Sequence, residues 1–210
     1  MDIQEHQSVD ASIDESTADP NPINQFRRWF DQAKAAGIPL AETMTLATST
    51  LDGRPSARQV LLKQVDDDGF VFYTNYHSRK ARELDVNPFA ALVFYWQKLD
   101  YQVRVEGTIN RTTAEESDEY FATRPRDSQL GALASPQSEV VADRKTLEER
   151  LAELEEEYSG RSVERPEHWG GYRVTPTSIE FWKSRAGRLH DRLLYERQID
   201  GSWRLTRLAP

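Results

Sequence analysis

Tyr120, Arg124 and Ser128 stand four residues apart around Pro125. Together they offer a phenol, a planar guanidinium and a hydroxyl at a helix start. These groups suit a dianionic phosphate, because a guanidinium donates paired charge-assisted hydrogen bonds and a helix N-terminus favours an anion. The same three residues would serve equally as a helix cap and salt-bridge network. Ser78-Arg79-Lys80, close behind Tyr73-Thr74, repeats the theme at another helix start. Further on, Trp182, Arg188, His190 and Arg192 fall within eleven positions of a loop between two strands. That density exceeds what a structural loop needs. Arg58 and Lys63 lie in a β-prone run, separated by an odd number of residues. Strand alternation sends them to opposite faces unless a bulge intervenes, and singly each reads as a barrel-surface charge.

Other chemistries are excluded by what is missing. With no cysteine there is no thiol nucleophile, thiolate metal site or disulfide. His6, His77, His168 and His190 show no metal-ligand spacing, so no metal site is expected. The dinucleotide G-x-G-x-x-G, the Walker loop and the G-x-S-x-G elbow are all lacking. Net charge is −8 and no basic stripe appears, which argues against a nucleic-acid partner. The charge is uneven, however. Residues 1–20 hold six acidic residues and no Lys or Arg, leaving 27 basic against 29 acidic residues in the rest. A nearly neutral body can still gather arginines in one pocket. No apolar run approaches the roughly 20 residues of a membrane span, and no secretory signal is visible, so a cytoplasmic location is expected.

The elements that must position these residues follow from local signals. Residues 1–20, acidic and poor in aromatics, read as a disordered tail, and residues 21–210 as a single domain. Asn21 and Pro22 predict a helix start, and Gly37 with Pro39 its stop. Thr43 to Ser49, Ser56 to Val65 and Phe70 to Thr74 are β-prone runs separated by Asp-Gly turns, and predict a three-stranded meander. A short helix is expected over Ser78 to Val86, then strands Phe89 to Gln97 and Tyr101 to Arg111. Thr113 to Glu116 has capping-box form, and a further short helix should begin at Pro125. Ser138 to Tyr158 reads as a long charged helix, docked through Val140, Leu147, Leu151, Leu154 and Tyr158. Strands are expected over Tyr172 to Thr175, Ser178 to Lys183, Leu193 to Ile199 and Trp203 to Leu208. The pattern is mainly β, a barrel with peripheral helices.

At this point the chain resembles the pyridoxamine 5'-phosphate oxidase family, from about Asn21 to Pro210. The likeness rests on R-x-V-L-L-K at 58–63, F-Y-T-N at 72–75, S-R-K-A at 78–81 and Q-V-R-V-E-G at 102–107. It continues in Y-F-x-x-R-P-R-D-S-Q at 120–129, S-P-Q-S at 135–138, W-G-G at 169–171 and E-F-W-x5-R-L-H-D-R at 180–192. The resemblance implies an FMN-binding split β-barrel. It assigns FMN to Arg58, Lys63, Tyr73, Thr74, Arg79, Lys80, Gln102, Gln137, Ser138, Trp182 and Arg192. Substrate falls to Lys63, Tyr120, Arg124, Ser128, Arg188 and His190, the last two as catalytic residues. It also implies a homodimer whose sites draw on both chains at the subunit interface. Family members often carry an Arg- and Tyr-containing segment near the amino terminus that helps cover the site; residues 1–20 hold neither residue. Tyr101 and Lys183 also depart from the usual residues.

The implied reaction is oxidation at C4' of pyridoxamine or pyridoxine 5'-phosphate. Hydride passes to the flavin, and oxygen is the final acceptor. Pyridoxal 5'-phosphate and hydrogen peroxide result, with ammonia from the amine. Flavin supplies the redox chemistry and the protein the orientation. A split barrel that binds flavin or pyridoxal phosphate without turnover is the alternative, and a deazaflavin-type reductase a third. Arg188 and His190 weigh against the first, and the full set of phosphate ligands against the second.

Overall fold

The computed structural model describes residues 12–210. Helix α1 (Pro22–Ala35) starts as the sequence predicts: the Asn21 side chain accepts from the Ile23 backbone N–H, and Pro22 occupies the first turn. Its buried residues Ile23, Phe26, Trp29 and Ala33 recur at helical spacing and plug the main core. Phe26 packs edge-on to Phe70, at 4.8 Å between ring centroids, and tilted against Phe94 at 4.9 Å. Nine strands form one sheet: β1 (Thr43–Ser49), β2 (Pro55–Leu61), β3 (Gln64–Asp66), β4 (Gly69–Asn75), β5 (Phe89–Trp96), β6 (Tyr101–Arg111), β7 (Trp169–Lys183), β8 (Asp191–Arg197) and β9 (Trp203–Arg207).

Two expectations about strands are corrected. The run Ser56 to Val65 is two strands, and the expected meander is two separate hairpins, β1–β2 and β3–β4. They sit at opposite ends of the order β2-β1-β5-β6-β7-β4-β3. The break falls at Leu62–Lys63, where the backbone changes partner: the Leu62 N–H donates to Glu42 O, and the Lys63 N–H to Val71 O. Two strands at the ends of one sheet are thus continuous in the chain, so the sheet must curl until its edges meet. The runs Tyr172 to Thr175 and Ser178 to Lys183 are instead one strand, β7. It survives Pro176 because the ladder with β6 shifts register by one residue at Glu106/Gly107, and a bulge is where a missing N–H is tolerated. Here β7 also exchanges its other neighbour, β4 before the bulge and β8 after it. This exchange splits the barrel. The product is the expected mainly β split barrel with peripheral helices.

Helices α2 (Arg79–Val86), α3 (Ala114–Thr123) and α4 (Arg126–Ala134) lie where predicted, with Ser78 as N-cap of the first and a complete Thr113/Glu116 capping box on the second. The long helix expected from Ser138 is shorter. As α5 (Arg144–Glu157) it begins after Asp143, whose carboxylate caps the Thr146 N–H at 2.8 Å. Val140 is fully exposed, and only Leu154 of the expected stripe is buried, joining Phe121, Leu130, Val163 and Trp169 in a second small core.

The expected disordered tail lies outside the described residues as far as residue 11. Its remainder is ordered, and there the expectation is corrected. Ile13 and Ala18 pack on the main core. The Tyr195 hydroxyl donates to Asp19 O at 2.7 Å, and Asp19 pairs with Arg28 at 2.9 Å. Tertiary anchors there outweigh a composition unable to build a core of its own.

Candidate functional site

Helices α3 and α4 meet at Arg124–Pro125 and stand over the end of β4, leaving a cleft of about 570 Å³. Lys63, Tyr73, Thr74, Tyr120, Arg124, Ser128 and Gln137 all line it, with Trp169 among its walls. The structure therefore brings together Tyr120, Arg124 and Ser128, which the sequence groups, with Lys63, which it does not. Strand alternation from Arg58 does not reach Lys63, because the strand breaks there. Tyr73 stacks with Tyr120, at 4.0 Å, and with Trp169, at 5.4 Å, while those two rings are themselves 6.2 Å apart. Burial, reinforced by the charge of Glu116, pushes the Tyr73 phenol up to about 12, so it remains a neutral donor at working pH. Gly171 faces Tyr73 and Thr112 so closely that a Cβ would collide with both. That glycine lets the Tyr73 ring lie against β7.

Arg124 is the most informative side chain of the cleft. Its guanidinium carbon lies 4.5 Å from the centre of the Trp169 ring. Burial pulls it below its ordinary pKa, with Tyr120 acting in the other direction. Its Nη1 is buried without a hydrogen-bond partner. A buried unpaired donor costs about 1–3 kcal/mol, so its retention beside Lys63 and Ser128 points to an acceptor that arrives from outside.

Behind the cleft lies a second cationic group. Lys80 is 9% exposed, and its ammonium donates to Gln137 Oε1 at 2.7 Å, Thr74 Oγ1 at 2.9 Å and Ser78 Oγ at 3.2 Å. These acceptors are neutral, and among the described residues Lys80 has no ion pair. Burial, then the charge of Arg58, bring it down to about 8. Arg58 donates to Thr48, Ser56 and Leu46 O, and reaches Glu83 at 3.4 Å; Arg79 pairs with Glu83 at 2.8 Å. Burial alone would raise the Glu83 carboxyl, but hydrogen bonds from Ser56, Thr48 and Arg79 outweigh it and hold it at about 2. Sequence reasoning missed Glu83. Its signal was the spacing Arg79 to Glu83, one helical turn. Trp169 of the W-G-G motif also lines the cleft, with no local sequence signal for that place.

The remaining expected residues lie elsewhere. Gln102 is the register partner of Trp182, and Trp182 of Arg192. The His190 ring lies 4.7 Å from that of Trp182. Arg192 pairs with the buried Glu180 at 2.7 Å and donates to Ala209 O at 2.9 Å. Arg188, exposed, has φ 61°, and Ser138 has φ 73°; left-handed backbone in non-glycine residues is uncommon and concentrates at functional positions. On β7, Thr74 registers with Gly170 and Gln102 with Trp182, twelve residues further along. That is about 40 Å of strand at 3.3 Å per residue. The phosphate-type cleft and the Trp182–His190 group thus occupy opposite ends of one strand.

Known proteins resemble this chain over nearly its whole length. Residues 30–158 match the pyridoxamine 5'-phosphate oxidase family, and residues 169–210 a pyridoxine 5'-phosphate oxidase C-terminal dimerisation region. A pyridoxine/pyridoxamine 5'-phosphate oxidase of Rubrobacter xylanophilus is 62% identical over 95% of this chain and 92% of its own length. One from Burkholderia orbicola is 57% identical over 95% and 94%. Among solved structures, PhzG from Burkholderia lata, in complex with tetrahydrophenazine-1-carboxylic acid, is similar with TM-score 0.91. It is 34% identical, over 97% of this chain and 100% of that one. An FMN-binding protein from Nostoc punctiforme shares the fold, with TM-score 0.71 at 17% identity, over 88% of this chain and 97% of that one.

Proposed function

Since the chain belongs to the pyridoxamine 5'-phosphate oxidase family, we propose that it oxidises pyridoxamine 5'-phosphate and pyridoxine 5'-phosphate at C4' to pyridoxal 5'-phosphate, with FMN as cofactor and oxygen as acceptor. Each turnover would release hydrogen peroxide, and the amine substrate would also take up water and release ammonia. The observation that carries this reading is the unpartnered, buried Nη1 of Arg124 in a cleft shared with Lys63, Tyr120 and Ser128. Those four would clamp the substrate phosphate, a non-reacting end whose binding energy orients the reacting carbon.

The cradle around Lys80 fits the phosphate of FMN. A buried ammonium with neutral acceptors, beside the Arg58 and Arg79 guanidiniums, lacks the anion that would balance it. Thr74, Gln137 and Ser138 would complete it, and Tyr73 would lie beside the flavin. Flavin, when bound, accepts the hydride from C4'. The protein contributes position: Arg124 and Lys63 fix the phosphate, and the planar donor fork of Arg188 orients the substrate rather than removing a proton.

The homodimer belongs to this reading. Gln102, Trp182, Arg188, His190 and Arg192 are too far along β7 to join the cleft of their own chain, whereas a twofold dimer can place one protomer's loop over its partner's cleft. The match of residues 169–210 to a dimerisation region supports it. Among the described residues no helix is long and apolar enough to cross a membrane; the cytoplasm is our assignment from the sequence. The test is peroxide release from purified protein, supplied with FMN and each phosphorylated substrate. A yellow protein yielding FMN on heat release, with turnover of both, is expected. Release of FAD, binding without turnover, or turnover only of a reduced phenazine carboxylate would overturn the proposal.

A further inference from the structure

His190 accepts a hydrogen bond. Its Nδ1 lies 3.1 Å from the backbone nitrogen of Arg185, which can only donate. The Nδ1 lone pair is therefore engaged, and the neutral ring must carry its proton on Nε2. A proton taken up at Nδ1 would break this bond and set two N–H groups against each other.

The loop that makes this contact is closed on itself by charge. Gly187 (φ 67°) and Arg188 (φ 61°) turn the chain back, so that Arg185 faces residues five and six places later. The Arg185 side chain reaches Asp191 at 3.1 Å, through Nε and Oδ2. Asp191 adjoins His190 in the chain, so Arg185 makes both contacts: a hydrogen bond from its amide to the imidazole, and an ion pair from its guanidinium to the carboxylate, whose Oδ2 is buried and accepts no hydrogen bond. The other Asp191 oxygen is held by Arg207 of β9, at 3.1 Å. Arg207 is itself pinned by Glu15, at 2.8 Å, and by Ile13 O, at 3.2 Å. The Asp191 side chain is only 15% exposed. A backbone amide on one side and a carboxylate paired with two guanidiniums on the other leave the imidazole little freedom.

We propose that Asp191, clamped between Arg185 and Arg207, is a positioning residue that holds His190 as the Nε2–H tautomer, so that His190 meets the substrate as a hydrogen-bond donor and not as a base. The donor role rests on the function proposed above; the tautomer does not. A donor at that position would hold the oxygen or nitrogen carried by C4', while the proton leaves by another route.

The test is nitrogen NMR on holoenzyme labelled with ¹⁵N-histidine, the His190 signals being those absent from His190→Asn. Wild-type protein should show a pyridine-type Nδ1 and a pyrrole-type Nε2. Asp191→Asn should mix the two tautomers and lower kcat about ten- to a hundredfold, the scale of a small misplacement at the reacting centre. FMN content and the substrate KM should stay within about twofold, because neither phosphate site includes this loop's carboxylate. Arg185→Ala, which keeps the amide and removes one arm of the clamp, should act in the same direction and guards against an Asp191 variant that does not fold. Arg185→Lys should restore part of the loss. A wild-type Nδ1 that carries the proton overturns the proposal. So does a fall in kcat without tautomer mixing, or mixing without a fall. Because the tautomer is read without turnover, a protein inactive on pyridoxamine phosphate would refute the proposed function and leave this measurement standing.

Discussion

Replacing Arg124 with methionine should move stability and substrate binding in opposite senses. In the folded protein, the substitution removes a buried donor atom that has no partner, a cost of about 1–3 kcal/mol. It also forfeits the attraction of the guanidinium for the Trp169 ring, 4.5 Å away, worth about 0.5–2 kcal/mol at a partly desolvated site. The two nearly cancel, and Met fills a similar volume. The flavin-free protein should therefore melt within a few degrees of wild type, or slightly higher, since about 1 kcal/mol moves Tm by roughly 2–4 °C at this size. Binding has no such compensation. Each lost charge-assisted hydrogen bond to phosphate costs about 1.5–3 kcal/mol, so the KM for pyridoxamine 5'-phosphate should rise about ten- to a hundredfold. Thermal unfolding, peroxide-linked kinetics and flavin-fluorescence titration give the three quantities on one preparation. A Tm that falls by more than 10 °C with KM unchanged would show that Arg124 is a structural strut. An unchanged KM with lost FMN would reassign it to the flavin.

Three further outcomes are expected. Lys80 has a lower pKa folded, about 8, than its ordinary 10.5; its penalty on folding is full below pH 8 and fades as pH rises toward the ordinary value, while its hold on a phosphate fades over the same range. The Kd for FMN should thus increase above pH 8 in wild type and stay flat there in Lys80→Met, as titration by fluorescence quenching would show. Deleting residues 1–20 removes the Asp19 contacts to Arg28 and Tyr195 and the packing of Ile13, and should lower Tm by about 5–10 °C while dimer and FMN persist; a flavin-free monomer in sedimentation would refute this. Arg124→Ala and His190→Asn, each nearly inactive at substrate well below the wild-type KM, should recover about a quarter of wild-type activity there when unfolded and refolded together, because half of the twofold dimers then contain one intact site of two. No recovery would mean that each chain completes its own site.

What could be read along the chain reflects the range over which each signal acts. Asn21, Ser78, Thr113 and Pro125 mark helix starts because a cap acts within one turn, through hydrogen bonds to N–H groups two or three residues on. Strands β1 and β6 were read to the residue because alternation and flanking turns are equally local. That Tyr120, Arg124 and Ser128 line one cleft was legible for the same reason: two abutting helices present residues at one-turn spacing. By contrast, Ser138 to Asp143 resembled helix in composition, yet Gln137 is drawn away by Lys80 and Thr74, partners some sixty residues back.

The sequence by itself determined the chemistry: which stretches carry cations and hydroxyls at element ends, which cofactor class they suit, and the family to which the chain belongs. Tertiary structure alone decided how these stretches are apportioned. Lys63 joined the cleft of Tyr120, Arg124 and Ser128 because the backbone changes partner between Glu42 and Val71, an event that no alternation rule anticipates. Trp182 and His190 were separated from that cleft because both groups hang on the single strand β7, which two short β-prone runs gave no reason to join. Strand pairing depends on which distant segment supplies the next row of hydrogen bonds, and an amide's own neighbours in sequence carry no record of that choice.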